Sequence, residues 1–198
     1  MGHPATFEFA GEITYVADDD GLLGGAVAVG SPFSGLYTFE STTPDSDLDE
    51  PRRGLYADTI SFVSGEIAGI PFLGPLAPTD FVDVRDFPNT SFDHYLVYAE
   101  VELLSTALDF KLRLGDQSGT AFQSDSLPLV PPDLALFDST RFAVFDGSET
   151  IPLRVEGYVT WLVPEPGTVV LLAFATLIIL RRKKSGTQYP ARQTERGK

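Results

Sequence analysis

Asp45, Asp47 and Asp49 alternate in the stretch TTPDSDLDEPRRG, and closely spaced loop carboxylates are the hard oxygen ligands that calcium takes. An EF-hand loop opening at Asp45 needs glycine at its sixth position and glutamate at its twelfth, where this chain has Glu50 and Tyr56. The EF-hand reading fails. An irregular calcium site at these three residues, or at Asp18–Asp20, is the metal chemistry that stays open. His94 follows Asp93 and is the one histidine away from the N-terminus, so the pair has the composition of a base and its orienting carboxylate. No G-x-S-x-G elbow or other nucleophile motif accompanies it, and a strand-edge histidine beside an aspartate is expected to be structural. Glu100 and Glu102 fall on one face of a strand roughly 7 Å apart, a spacing within the range of glycosidase carboxylates. They alternate with Val101 and Leu103, which points to two solvated outward residues. The 198 residues include no cysteine, which removes thiolate zinc sites, disulfides and cysteine catalysis. The expectation is a chain without a catalytic centre.

The elements that hold these residues read as β. Phe7, Phe9, Ile13 and Tyr15 alternate with Glu8, Glu12 and Thr14, the period of a half-buried strand, with Gly11 marking a bulge or a close backbone approach. Similar alternation occupies 33–40, 54–63, 94–104, 107–114, 141–145 and 153–163, punctuated by Gly, Pro, Asp and Ser. Many short strands at such intervals predict an all-β fold, an antiparallel, jelly-roll-like β-sandwich. The stretches GEITYV from Gly11 and GYVTWL from Gly157 share their spacing of Gly, β-branched and aromatic residues. That echo is compatible with the first and last strands being neighbours. Phe outnumbers Tyr and Trp by fifteen to eight, so the aromatic content is read as core filling more than as sugar platforms.

Charge divides the chain. Residues 1–163 carry 26 acidic and 7 basic residues, a formal −19, and residues 164–198 carry 2 and 7, a formal +5. A body so acidic repels phosphate backbones, so no nucleic-acid partner is expected; solubility is the simpler use of the charge. In the second part, thirteen uncharged residues, 168–180, are followed by Arg181, Arg182, Lys183 and Lys184. The run would make a helix of ~20 Å against a hydrocarbon core of ~30 Å, short for a permanent span, with the four cations held on the cytoplasmic side.

The order Pro164-Glu165-Pro166, short apolar helix, basic cluster resembles the PEP-CTERM sorting signal. That resemblance implies recognition of Pro164, Glu165 and Pro166 by an exosortase, a transient inner-membrane anchor over 169–180, and a stop at Arg181–Lys184. It covers about a tenth of the chain. The body also resembles a module recurrent in such proteins, through residues 7–14, 34–46 and 118–132, a module that implies no activity. Two departures stand out. A tail, SGTQYPARQTERGK, follows the basic cluster, and the opening MGHPATFEF has neither the basic nor the apolar region of the secretory signal that the family carries.

Three segments are therefore expected: a β-sandwich extracellular domain over 1–163, a sorting signal with a single hydrophobic helix over 164–184, and a basic, disordered tail over 185–198. The functional expectation is an exported, non-enzymatic protein, anchored as a precursor in the inner membrane and then delivered to the cell surface or extracellular matrix of a Gram-negative bacterium. Its expected partners are the exosortase and extracellular polysaccharide, with no cofactor unless calcium occupies Asp45, Asp47 and Asp49. The alternative is a surface carbohydrate-binding module or glycan-active enzyme on the same scaffold.

Overall fold

The computed structural model describes residues 3–87, 92–147 and 153–165. One compact unit, Met1–Pro164, holds the strands β1 (Pro4–Asp18), β2 (Pro32–Glu40), β3 (Arg53–Ala57), β4 (Ile60–Ile67) and β5 (Ile70–Gly74), then β6 (Phe81–Arg85), β7 (Asp93–Leu103), β8 (Thr106–Asp116), β9 (Ser139–Phe145) and β10 (Leu153–Pro164). Every pairing among them is antiparallel. The all-β class holds, and the arrangement differs from the expected sandwich. The order β7-β5-β4-β2-β1-β10-β9-β8 returns to β7 through the β7–β8 ladder, closing an eight-stranded barrel. Period-two alternation marks one apolar face per strand. It does not say whether that face meets a second sheet or the far wall of its own, and here it meets the latter. The expected C-terminal hydrophobic helix and basic tail fall outside the described residues, as do Pro166, Arg181, Arg182, Lys183 and Lys184; Pro164 ends β10 and Glu165 follows it. Among the described residues no helix is long and apolar enough to cross a membrane.

Eight strands enclose a lumen just wide enough for side chains to fill. Phe9, Phe33, Phe72, Phe110 and Phe142 occupy it, with Phe33 and Phe142 stacked at 4.0 Å. Tyr37 and Tyr95 share a hydrogen bond of 3.0 Å between their hydroxyls, which satisfies both polar ends inside the apolar core. Burial pushes both phenols above their usual range, and each stays neutral. Small residues make room for the rings. A Cβ on Gly35 would stand 2.6 Å from the Phe9 ring, and one on Gly65 would stand 2.5 Å from Phe72. Alternating small and large inward residues in this way lets a small barrel taper and close.

Gly11 performs both tasks expected of it. The β1–β10 register shifts between Ala10 and Gly11, and a Cβ there would strike the Tyr158 carbonyl and the Phe33 ring. Gly157 abuts the same Phe33 ring, and it pairs with Ile13. The two echoing stretches are thus neighbouring strands that make room for one phenylalanine.

β3 and β6 form a ribbon outside the barrel. β6 pairs with the first half of β7, from His94 to Tyr98, whereas β5 takes the far end at Leu103 and Glu102. The segment 117–137 packs over the ribbon and the barrel end. Tyr56 donates to the Asp125 carbonyl, Phe122 packs against Tyr95 and Phe137, and Asp133 caps a 3-10 turn at Leu134–Leu136.

Candidate functional site

Asp93 is fully buried and its carboxylate is already used. One oxygen accepts from the Phe87 amide and the other from the Phe122 amide, so the residue ties two loops to the barrel end. Asp116, at the end of the neighbouring strand, accepts from the amides of Ser118, Thr120 and Ala121 and from the Ser118 hydroxyl. Burial works against its charge, yet hydrogen bonds from Thr120 and Ser118 outweigh it and hold the carboxyl at about 2. Both aspartates fasten segment 117–137. Neither reaches His94, which points the other way from β7, toward the outward face, and is 5% exposed under the Phe92 ring. Its two ring nitrogens have no hydrogen-bond partner. Burial, and then the Arg113 charge, pushes its pKa down to about 4. The base-and-carboxylate arrangement considered from sequence is absent at this pair.

The acidic loop is also committed elsewhere. Asp45 accepts from the amides of Asp47 and Leu55, Asp47 pairs with Arg53 at 3.1 Å, and Asp49 is exposed. Among the described residues no group of three His, Cys, Asp or Glu converges as metal ligands do. Asp18 accepts from the Leu23 amide at the Asp18–Asp20 turn. Glu100 lines an open cleft with Tyr98, Asp109 and Asp146, and Glu102 lines a different hollow with Leu73 and Leu104. The two glutamates therefore do not face a shared substrate position.

What the registers do assemble is a cationic outer face. Arg53 stands opposite Arg85, Leu96 lies between Asp83 and Arg113, Arg113 stands opposite Arg141, and Arg154 stands opposite Phe145. Each of these positions alternates with buried inward residues: Val82 and Val84, Leu112 and Leu114, Phe142 and Val144, Leu153 and Val155. Six of the seven basic residues of 1–163 therefore share one outward surface, and the seventh, Arg52, adjoins it in the turn before β3.

Two parts of this face differ. At one end Asp83, 1% exposed, receives Arg53 through Nε (3.3 Å) and Nη2 (3.1 Å), and Arg85 through Nε (3.1 Å) and Nη2 (2.7 Å). Burial raises the pKa of Asp83, but the two guanidiniums outweigh it and the net shift is downward. Toward the other end Lys111, Arg113, Arg141, Phe145, Arg154 and Glu156 line a shallow groove of about 280 Å³. Lys111 lies 4.4 Å from the Phe145 ring centre, with Arg154 at 5.7 Å from the same ring. Arg154 pairs with Glu156, and Arg113 lies over Phe92. Arg113 and Arg141 are both exposed, and neither has a carboxylate partner among the described residues.

Beside this groove stand exposed aromatics. Tyr158 follows Arg113 and Arg141 in one cross-strand row, and Tyr15 stands opposite Glu156. Tyr15 and Tyr158 are 49% and 52% exposed; Trp161, the chain's single tryptophan, is 45% exposed and lies farther along β10, opposite Ala10. Such a grouping offers guanidiniums for a planar anion and ring faces for an apolar surface. No protein-family model, curated protein or solved structure matches the chain.

Proposed function

We propose that this chain is an exported, non-enzymatic protein of the cell surface or extracellular matrix, sorted by an exosortase through Pro164, Glu165 and Pro166. The observation that carries the non-enzymatic part is the filled lumen. Phe9, Phe33, Phe72, Phe110 and Phe142 leave the interior to side chains, so the barrel is a rigid body whose ligands must meet its outside. The state of His94 supports the same reading, because a sealed imidazole with a pKa of about 4 and no oriented partner is a poor general base. Localisation rests on the resemblance of the segment from Pro164 to Lys184 to a sorting signal. Replacing Pro164, Glu165 and Pro166 by alanine is expected to leave the precursor in the inner membrane. Normal surface delivery of that variant would remove the sorting proposal.

A second reading, a surface carbohydrate-binding module, is favoured by the outward placement of Tyr15 and Tyr158, opposite Glu156 and Arg141 of the cationic groove. Tyr, Trp and Arg are the residues that dominate binding energy at recognition surfaces. The two readings are compatible, since a matrix protein that holds a polysaccharide needs such a face.

A further inference from the structure

Two arginine pairs stand directly opposite each other across neighbouring strands on the same outward face. In the Arg53–Arg85 pair, Asp83 lies between the guanidiniums and accepts from both. In the Arg113–Arg141 pair no carboxylate of the described residues reaches either side chain. Like charges directly opposite in a ladder repel and destabilise it. Among the described residues nothing relieves that cost for the second pair, in a body with 26 acidic residues. The first pair shows the geometry that relieves it: one carboxylate shared by two guanidinium forks.

We propose that Arg113 and Arg141 receive a carboxylate from outside the chain, and that this carboxylate belongs to an acidic polysaccharide. The proposal rests on the carbohydrate-binding reading above and names the ligand class. Lys111 and Arg154, flanking Phe145 along the same groove, meet the next charge of the polymer. Tyr158, next in the row after Arg141, packs the apolar face of a sugar ring. The groove is lined from β8, β9 and β10, which suits a chain lying across the strands. A uronate polymer carries about one charge per sugar, whereas duplex DNA carries one per ~1.7 Å, and a body at −19 resists the denser polymer more. An acidic peptide offers carboxylates without the ring face that Tyr158 would cover.

The test is titration of the full-length chain with an oligogalacturonate, followed by the fluorescence of Trp161 and by calorimetry. Comparison probes are the carboxyl-reduced neutral oligomer, polyglutamate and an oligonucleotide of equal charge. Changing Arg181, Arg182, Lys183, Lys184, Arg192, Arg196 and Lys198 to glutamine removes the competing cations at the C-terminus. The expected results are saturable oligogalacturonate binding that the tail variant retains, a loss of tenfold or more on Arg141→Glu, and at least tenfold weaker binding of the other three probes. Arg141→Gln, checked for an unchanged melting temperature, serves if the glutamate variant unfolds. Unchanged binding in the Arg141 variants, or equal binding of polyglutamate or oligonucleotide, overturns the site. Neutral-oligomer binding that ignores Arg141 would overturn it while leaving the carbohydrate-binding reading standing; no glycan binding of either kind would remove both.

Discussion

The Arg53–Arg85 and Arg113–Arg141 pairs begin from the same arrangement, two guanidiniums opposed across antiparallel strands on one outer surface. They differ in a single component. Asp83 sits on β6 with its carboxylate 2% exposed and converts the first pair into an ion triad, whereas the second pair has Leu96 as the β7 neighbour of Arg113. The first is a structural element: removing its centre would strand two positive charges that are only a third exposed. The second is exposed and repulsive and has no counter-ion among the described residues, the condition expected of a surface kept for an outside anion. A charge cluster therefore has to be read with its counter-ions before it is assigned a role.

The largest predicted effect breaks the neutralised pair. Asp83→Ala is expected to cost about 3 kcal/mol, since it leaves charges without their partner, and to lower the melting temperature by roughly 10 °C. A loss below about 1 kcal/mol in denaturant unfolding would mean that the triad is solvated and the contrast is false.

The next effect comes from His94, which lies against Arg85 in the register and feels Arg113 as well. Its pKa is lowered from 6.5 to about 4, so the unfolded chain binds the proton more readily. The associated stability is complete above pH ~6.5 and is lost as the pH falls toward 4, with about 2 kcal/mol gone by pH 5. Asp83, whose pKa is lowered from 3.8, begins to lose its contribution only below that value. His94→Leu is expected to flatten the pH 6.5–4 slope and leave the more acidic loss intact, and it also removes two unpartnered nitrogens. Equal slopes in the two proteins would show that His94 is hydrated.

A smaller effect sharpens the comparison from the other side. Arg113→Glu is expected to raise stability by about 0.5 kcal/mol by replacing a repulsive cross-strand pair with an attractive one, while Arg85→Glu is expected to lower it, because Asp83 then faces a like charge. Stability changes of the same sign in both variants would erase the distinction. The smallest effect concerns the loop of Asp45, Asp47 and Asp49. Calcium and magnesium at equal ionic strength are expected to shift the melting temperature equally, through screening of the acidic body. A calcium-specific rise would support the metal site.

Some of this organisation was legible in the sequence. Alternation located β1, β2, β7, β8, β9 and β10 closely, and the Gly11 and Gly157 echo was compatible with the side-by-side position that the first and last strands take. The run over 54–63 is instead two strands, because the chain turns at Asp58 with φ of 52° and sends β3 to the ribbon and β4 to the barrel. β5 and β6 were missed: IPFLG is short and contains Pro71, and FVDVR has an aspartate that nothing local explains. Barrel closure was not legible because it depends on which strand pairs with β7, a long-range choice. The cationic face had a usable signal. Arg53, Arg85, Lys111, Arg113, Arg141 and Arg154 all alternate with buried residues, but only the register brings positions a hundred residues apart onto one surface. Counting Tyr and Trp against Phe hid the outward aromatics for a similar reason, since eight of the phenylalanines are buried in the core while Tyr158 and Trp161 face outward.

The most direct test of the contrast between the two pairs is nuclear magnetic resonance of the arginine Nε–Hε groups during titration with oligogalacturonate. The predicted result is a joint, saturable shift of Arg113 and Arg141, smaller movement at Arg154, and still signals from Arg53 and Arg85, whose donors are held by Asp83. Movement of Arg53 and Arg85 with Arg113 and Arg141 unchanged would contradict the account.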